Sequence, residues 1–549
     1  MTPASPPWRA ATPWLAAAVL VALDVPKPLV VDDAAYFYYA QQIAGDPSDP
    51  YGFEIFWGNV LEPASAVMAP PFLPYWWGAA LAWFGASPWA WKLALFPLAL
   101  VLAAATWSLA RRFAPGLEAP VTWLVVLSPP VAAGFNLMLD VPALTLSLAG
   151  LALFVAADTR ASLALAVASG LCLGLALQTK YSAAVGAAAL AAYALLYARW
   201  RLGLVAGFVA LALFAGWESF VSLRYGESHF LHHLLSRGEQ VVPAGPGVWS
   251  LGLLSLLGAV AGPVAVLALG GQGRFRLAAL AGAVVVAAML ALPLLPAAPE
   301  ARFELVPRLL DPSPEWILFV VLGAGVALSA APLVVRGLRD GDRDARFLVA
   351  WVGLELLGFF VLSPFLAMRR VVGLAVALCF LAAHAASRQA GGLRCGRVAA
   401  VLGVALGLVF GVADLTDARA RRTAFEELES TLRASGVDFE EERVFYTGHW
   451  GFQFLAERAG MVPLIADRTR VAPGDWLLVP TGVLAQRAMV PEWARSPRGG
   501  VVARGSWPWS TLPAAYGGAV PIRGQPERQM TISVFAIEDN AVAREPGRR

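Results

Sequence analysis

Two adjacent carboxylates, Asp32 and Asp33, stand where an apolar segment from Trp14 to Leu23 gives way to the aromatic run Tyr36-Phe37-Tyr38-Tyr39. Like charges side by side repel and resist burial at a membrane surface. The pair has two readings. As a helix start, it answers the partial positive charge of the free N–H groups. As chemistry, one carboxylate is a general base that takes the proton of an acceptor hydroxyl, so that the oxygen attacks an anomeric carbon. Its neighbour then binds substrate or raises the pKa of the base.

Further candidates follow along the chain. Asp140, in Asn136-Leu137-Met138-Leu139-Asp140-Val141-Pro142, is either a helix start with Pro142 in the first turn or a second acidic group of the same site. Lys180 interrupts two apolar runs and either snorkels to the interface or meets a lipid phosphate as a compact point charge. Arginine would snorkel equally well, and only three lysines occur among 41 basic residues. His229, His232 and His233 have the spacing of one helix face, but without a clear carboxylate partner they do not make a structural zinc site. His232 and His233, with Tyr36 and Asp140, are candidates for binding substrate or acceptor. Arg237, Arg369 and Arg370 are interface anchors or phosphate ligands.

These residues need a scaffold that brings them together. The chain has 549 residues, 58% of them hydrophobic and 14% charged, with mean hydropathy +0.63. A soluble protein carries about 25% charged residues, so the composition is that of a mainly α, polytopic membrane protein. Apolar runs of about bilayer length fall near 10–24, 89–110, 120–136, 141–157, 161–179, 181–198, 202–222, 248–270, 277–297, 315–335, 347–363, 371–387 and 398–414. They predict about 13 transmembrane helices. Arginines crowd every second loop, at Arg111/Arg112, Arg160, Arg199/Arg201, Arg274/Arg276, Arg336 to Arg346 and Arg388 to Arg397. The positive-inside bias then puts Asp32, Asp140, Lys180, the histidine loop, the loop 296–314 and Arg369/Arg370 together on the other face. The first outer loop, with Tyr36, Tyr39, Ile43 and later Phe53 to Trp57, suits interfacial helices. The expected domains are a membrane part, 1–414, and a small α/β soluble tail, 415–549. That tail should hold a helix over Ala418–Ala434, strands at Val444–Tyr446 and Trp476–Val479, and a helix near Phe452–Ala459. An odd number of spans sends it outside, over the site. Cys172, Cys379 and Cys395 imply no disulfide framework.

At these residues the sequence resembles the GT-C superfamily of membrane glycosyltransferases, in the branch of the protein O-mannosyltransferases and the bacterial lipid A aminoarabinose transferase. Asp32-Asp33-Ala34-Ala35-Tyr36 resembles the family's early acidic pair, and Pro70-Pro71-Phe72-Leu73 its Pro-Pro turn. Asp140 matches the second outer-loop acid, and Gly174 to Lys180 the Gly-Leu-Ala…Thr-Lys segment. Tyr225 to His233 is similar to the loop with a donor-side histidine, and Arg369-Arg370 to the family's late arginine. Val371-Val372 stands where the family usually has Tyr-Leu-Leu-Pro. The resemblance implies a polyprenyl-phosphate-linked sugar as donor, an acceptor lipid, glycan or protein, and Asp32 as base. It places the site at the outer face of a bacterial inner membrane. No cofactor is required by these residues, a divalent metal is left open, and no nucleic-acid partner is implied. An O-antigen ligase or polymerase type of enzyme is the rival within the same chemistry; it should lack the early acidic pair. A secondary transporter should show mid-span polar groups and two similar halves, whereas here the acids cluster at span ends.

Overall fold

The computed structural model describes residues 7–545 apart from 68, 237–244, 296–312, 340–341, 440, 487, 513–514 and 525–528. Among the described residues seven helices are long and apolar enough to cross a bilayer, and Pro246–Val260 with Gly262–Gly271 adds an eighth if its 83° bend lies within one span. Four shorter apolar helices accompany them, Ala11–Asp24, Leu163–Leu177, Tyr181–Leu196 and Val372–Ser387. The expected run 120–136 is not one helix. It breaks into Glu118–Val126 and Pro129–Gly134, because Pro129 and Pro130 supply no N–H and push the preceding residue out of helical geometry.

Small residues set the closest helix contacts, as expected where lipid offers no hydrophobic drive between helices. Pro246–Val260 lies against Pro314–Arg339 so tightly that a Cβ on Gly258 would stand 1.9 Å from the Phe319 oxygen, and one on Gly323 1.8 Å from that of Leu254. Asp140–Arg160 is the most enclosed long span, held by Leu163–Leu177 and Phe96–Phe113. The arginine-rich ends meet carboxylates: Arg112 Nη2 donates to Asp344 at 2.8 Å, and Arg199 and Arg388 pair with Asp158 and Asp342.

The first long loop is helical in its first part, as expected, and not in its second. Asp33–Gly45 is a helix, but Tyr36, Phe37, Tyr39 and Ile43 are all buried. Phe53 to Trp57 does not continue as helix. Glu54–Phe56 pairs antiparallel with Leu61–Pro63 instead, and the tail covers that hairpin: Gln453 Nε2 donates to the Phe56 carbonyl at 2.9 Å.

The last span runs on without a break as Gly392–Ala434, about 65 Å of helix, so residue 414 lies inside a helix that membrane part and tail share. Beyond it the tail builds a five-stranded mixed sheet in the order Val462–Pro463, Val444–Tyr446, Trp476–Pro480, Met530–Ile537, Arg495–Ala503. The first three run parallel and the last two pair antiparallel.

Candidate active site

Asp32 stands immediately before the Asp33–Gly45 helix, and Val31 before it has φ 47°. A β-branched residue in left-handed backbone costs about 1–3 kcal/mol and persists only where surrounding structure enforces it. The Asp32 carboxylate accepts a hydrogen bond of 2.9 Å from Arg369 Nη1. Arg369 belongs to the short 3-10 turn Met368–Arg370, between the ends of Arg343–Leu362 and Val372–Ser387. The same guanidinium nitrogen lies 3.7 Å from Asp140 Oδ2. Asp140 opens the Asp140–Arg160 helix, where a carboxylate suits the helix dipole, and it forms a buried ion pair with Lys180. Four residues from four distant stretches therefore make one chain of contacts: Asp32, Arg369, Asp140, Lys180.

Arg370 completes the group. Its guanidinium lies 4.9 Å from the Phe365 ring, and its Nε is buried without a hydrogen bond. Among the described residues it has no carboxylate partner. Tyr36 sits among these charges, and burial together with Asp32 holds its phenol well above the ordinary range. Three cations thus face two carboxylates. Unbalanced charge is costly in a low-dielectric setting, and a bound anion would remove the cost.

A groove with a cavity of about 100 Å³ opens from these cations. Lys180, Arg369 and Arg370 line one part of it, and Leu148, Leu151, Ala189 and Phe359 line its apolar walls between spans. Cationic head and apolar walls suit a lipid phosphate. Glu355 also lines the groove, hydrogen-bonded by Trp351 Nε1 at 3.1 Å. An ionisable side chain within a span is a signal legible in the sequence.

Asp33 goes elsewhere. Its Oδ2 accepts from Val30 N at 2.9 Å, and its neighbours in charge are Lys92, Lys27 and Asp24. Burial pushes its carboxyl up to about 7, partly opposed by Lys92. In that second cluster Lys92 pairs with Asp24 and Lys27 with Asp414, each at 3.0 Å. Thr511 and Tyr516 of the tail both donate to Asp414 at 2.9 Å. All three lysines of the chain are thus in buried ion pairs. The tail also reaches the turn that carries Arg369: Met368 N donates to the Ala515 carbonyl at 3.3 Å, and Gly518 N to that of Leu366 at 2.7 Å. Nothing in the spacing of Ala515, Tyr516 and Gly518 announces this role.

The histidines form a separate group. His229 stacks on Tyr51 and meets Tyr181 Oη at 2.5 Å, and its Nε2 lies 3.2 Å from that of His233. Burial, with the neighbouring histidines, pushes His229 down to about 3 and His233 to about 4. His232 is more exposed and faces Glu227 at 3.3 Å. Neither His232 nor His233 touches the Asp32–Lys180 chain among the described residues, so the structure does not bring them to the acidic site. Arg237 and residues 296–312 of the expected outer loop lie outside the described residues.

A divalent ion does not fit this donor set. Asp32 and Asp140 are both held by cations, and among the described residues no three His, Cys, Asp or Glu side chains gather as a metal would need.

No protein-family model matches the sequence, and no curated protein does. Solved structures do. The archaeal oligosaccharyltransferase AglB from Archaeoglobus fulgidus, in complex with an inhibitory peptide and a dolichol-phosphate, matches over 86% of this chain and 69% of its own, at 12% identity and TM-score 0.50. ArnT from Cupriavidus metallidurans bound to undecaprenyl phosphate matches over 87% of this chain and 93% of its own, at 18% identity and TM-score 0.44. At such identities the likeness is one of fold. What is shared is the architecture, a polytopic helical part followed by a tail with strands.

Proposed function

We propose that the protein transfers a monosaccharide from a polyprenyl-phosphate-linked donor to an acceptor hydroxyl, at the outer face of a bacterial inner membrane. The observation that carries this reading is the surplus cation at the head of an apolar groove between spans, beside a carboxylate held in place by Arg369. The AglB complex supports it in kind, since it holds a dolichol-phosphate in the same type of fold.

In this reading the lipid phosphate lies against Lys180 and Arg370 and the isoprenoid chain follows the groove. Asp32, whose side chain is 22% exposed against 7% for Asp140, is the accessible base. It takes the acceptor's proton as the oxygen bonds to the anomeric carbon. The bond from that carbon to the phosphate oxygen breaks, and polyprenyl phosphate leaves with its charge met by the cations. Attack from the side opposite the leaving group inverts the anomeric centre. Asp140 holds Lys180 and Arg369 at their stations.

The test uses purified protein with short-chain polyprenyl-phosphate sugars and an extract of membrane acceptors, following release of polyprenyl phosphate. Release that Asp32→Asn abolishes is expected. Equal release by wild type and Asp32→Asn contradicts the reading.

A further inference from the structure

The tail grips the stretches that carry Asp32, Arg369 and Asp140, and it does so with two arms. The first arm is the Gly451–Arg458 helix. Gly451 opens it against the backbone just before Asp32, where an added Cβ would stand 2.4 Å from the Leu29 oxygen and 3.5 Å from the Val30 Cα. The residues beside this contact, Val31 at φ 47° and Trp450 at φ 70°, are both in left-handed backbone, which non-glycine residues keep only where their surroundings enforce it. Further along, Phe454 and Phe37 meet edge to face with ring centres 5.1 Å apart. Glu457 accepts from Tyr38 and, at 2.6 Å, from Tyr446. The Asp33–Gly45 helix is thus held over its first two turns.

The second arm is residues 515–518. Ala515 and Gly518 bond the backbone on either side of Ala367, in the turn that carries Arg369. Gly518 has φ 141°, where a side chain would be strained. Between them, Tyr516 Oη lies 3.0 Å from the Ala133 carbonyl and 3.4 Å from Asn136 Nδ2, in the segment that leads to Asp140. Both arms are referred to the long Gly392–Ala434 helix. Its Asp417 accepts from Thr511 N at 2.7 Å and Leu512 N at 3.1 Å, and its Arg421 donates to the Gly482 and Gln529 carbonyls at 2.6 and 3.1 Å.

Asp32 and Arg369 come from opposite ends of the membrane part and meet through one hydrogen bond of 2.9 Å. A hydrogen bond to a charged group is worth about 1.5–3 kcal/mol. That is too little to order two turns, at about 1–2 kcal/mol for each residue fixed. We propose that the tail is the positioning element of the transfer site: Gly451 and Gly518, one on each arm, set the register of Asp32 against Arg369 and so fix where the base meets the acceptor hydroxyl. Neither glycine touches a substrate. The catalytic consequence rests on the transfer reading above; the grip on the two turns does not.

The test uses the full chain in detergent. It records single-turnover transfer at saturating donor, donor KM, melting temperature and amide hydrogen exchange over 29–38 and 364–371. A methyl group needs about 3.3–3.6 Å from a carbonyl oxygen, so Gly451→Ala must part the tail from the Asp32 turn by about 1 Å. A misplacement of that size costs about 10²-fold in rate. Gly451→Ala should therefore lose about that much transfer and exchange faster over 29–38, with donor KM unchanged. Tyr38→Phe, a milder change that removes only the bond to Glu457, should lower transfer about three-fold with the same KM. Gly518→Ala should lower transfer and speed exchange over 364–371. Because both arms serve one contact, Gly451→Ala with Gly518→Ala should cost no more than the worse of the two alone. Arg498→Ala, in an exposed pair with Glu538, should change none of these. Wild-type transfer by both Gly451→Ala and Tyr38→Phe, a loss that follows only melting temperature or KM, or losses that multiply in the double variant overturn the proposal. If the wild type transfers from no donor, faster exchange confined to the two turns keeps the tail as their clamp, and its part in catalysis falls with the transfer reading. Unchanged exchange overturns the clamp as well.

Discussion

Two buried clusters of charge are entered by the adjacent residues Asp32 and Asp33, and they differ in how the charge is balanced. Around Asp33 the two lysines, Lys27 and Lys92, are matched by Asp24 and Asp414, and the Asp33 carboxyl itself is driven toward its neutral form. Tail hydroxyls finish the hydrogen bonding of Asp414. Around Asp32 three cations meet two carboxylates, Arg370 is left over, and a groove opens from it. A balanced cluster joins parts of a fold. An unbalanced one beside a cavity is built for a ligand that brings the missing charge.

This contrast can be broken by mutation. The largest effect is expected at Asp32: Asp32→Asn should lower transfer by about 10²–10⁴, the range of a lost general base, with thermal stability little changed. Next comes the balanced cluster. Lys27→Met strands Asp414 without its cation while Asp24 keeps Lys92, and loss of about 3–5 kcal/mol is expected, read as a lower melting temperature in detergent.

Arg370→Gln should do the reverse of Lys27→Met. With no carboxylate to strand, it should leave stability nearly unchanged, yet raise the donor KM about ten-fold, one charge-assisted phosphate contact. A smaller effect is expected from pH. Folded Asp33 keeps its proton up to about 7, whereas the unfolded chain releases it near the usual carboxylate value. Between those values the unfolded state binds fewer protons, so stability should fall as pH rises from about 4 to 7. Asp33→Asn should flatten that slope in pH-dependent melting curves. The smallest effect is expected at His232, whose partly exposed ring pairs with Glu227 and packs on His233: His232→Ala should change stability by less than about 0.5 kcal/mol, as for other exposed pairs, and leave transfer intact.

Much of this was legible in the residues. The alternation of arginine-rich loops put Asp32, Asp140, Lys180 and Arg369 on one face, and the structure joins those four. The rarity of lysine is a signal at all three positions, since Lys27 and Lys92 are also in buried pairs. Which acid of the Asp32–Asp33 pair meets Arg369 was not legible. Successive side chains at a helix start diverge by about 100°, so one must turn away, and packing far along the chain decides which. The hairpin at Glu54–Phe56 was mistaken for an amphipathic helix because its aromatics answer to the tail, a partner some 400 residues distant. For the same reason Tyr516, which bonds Asp414 and the Ala133 carbonyl, carries no local mark.

The most direct measurement compares Asp32→Asn and Asp33→Asn in one preparation, recording single-turnover sugar transfer and melting temperature for each. The account predicts that Asp32→Asn melts like the wild type and transfers nothing measurable, while Asp33→Asn transfers at a rate close to the wild type. Transfer lost on Asp33→Asn and kept on Asp32→Asn would contradict it.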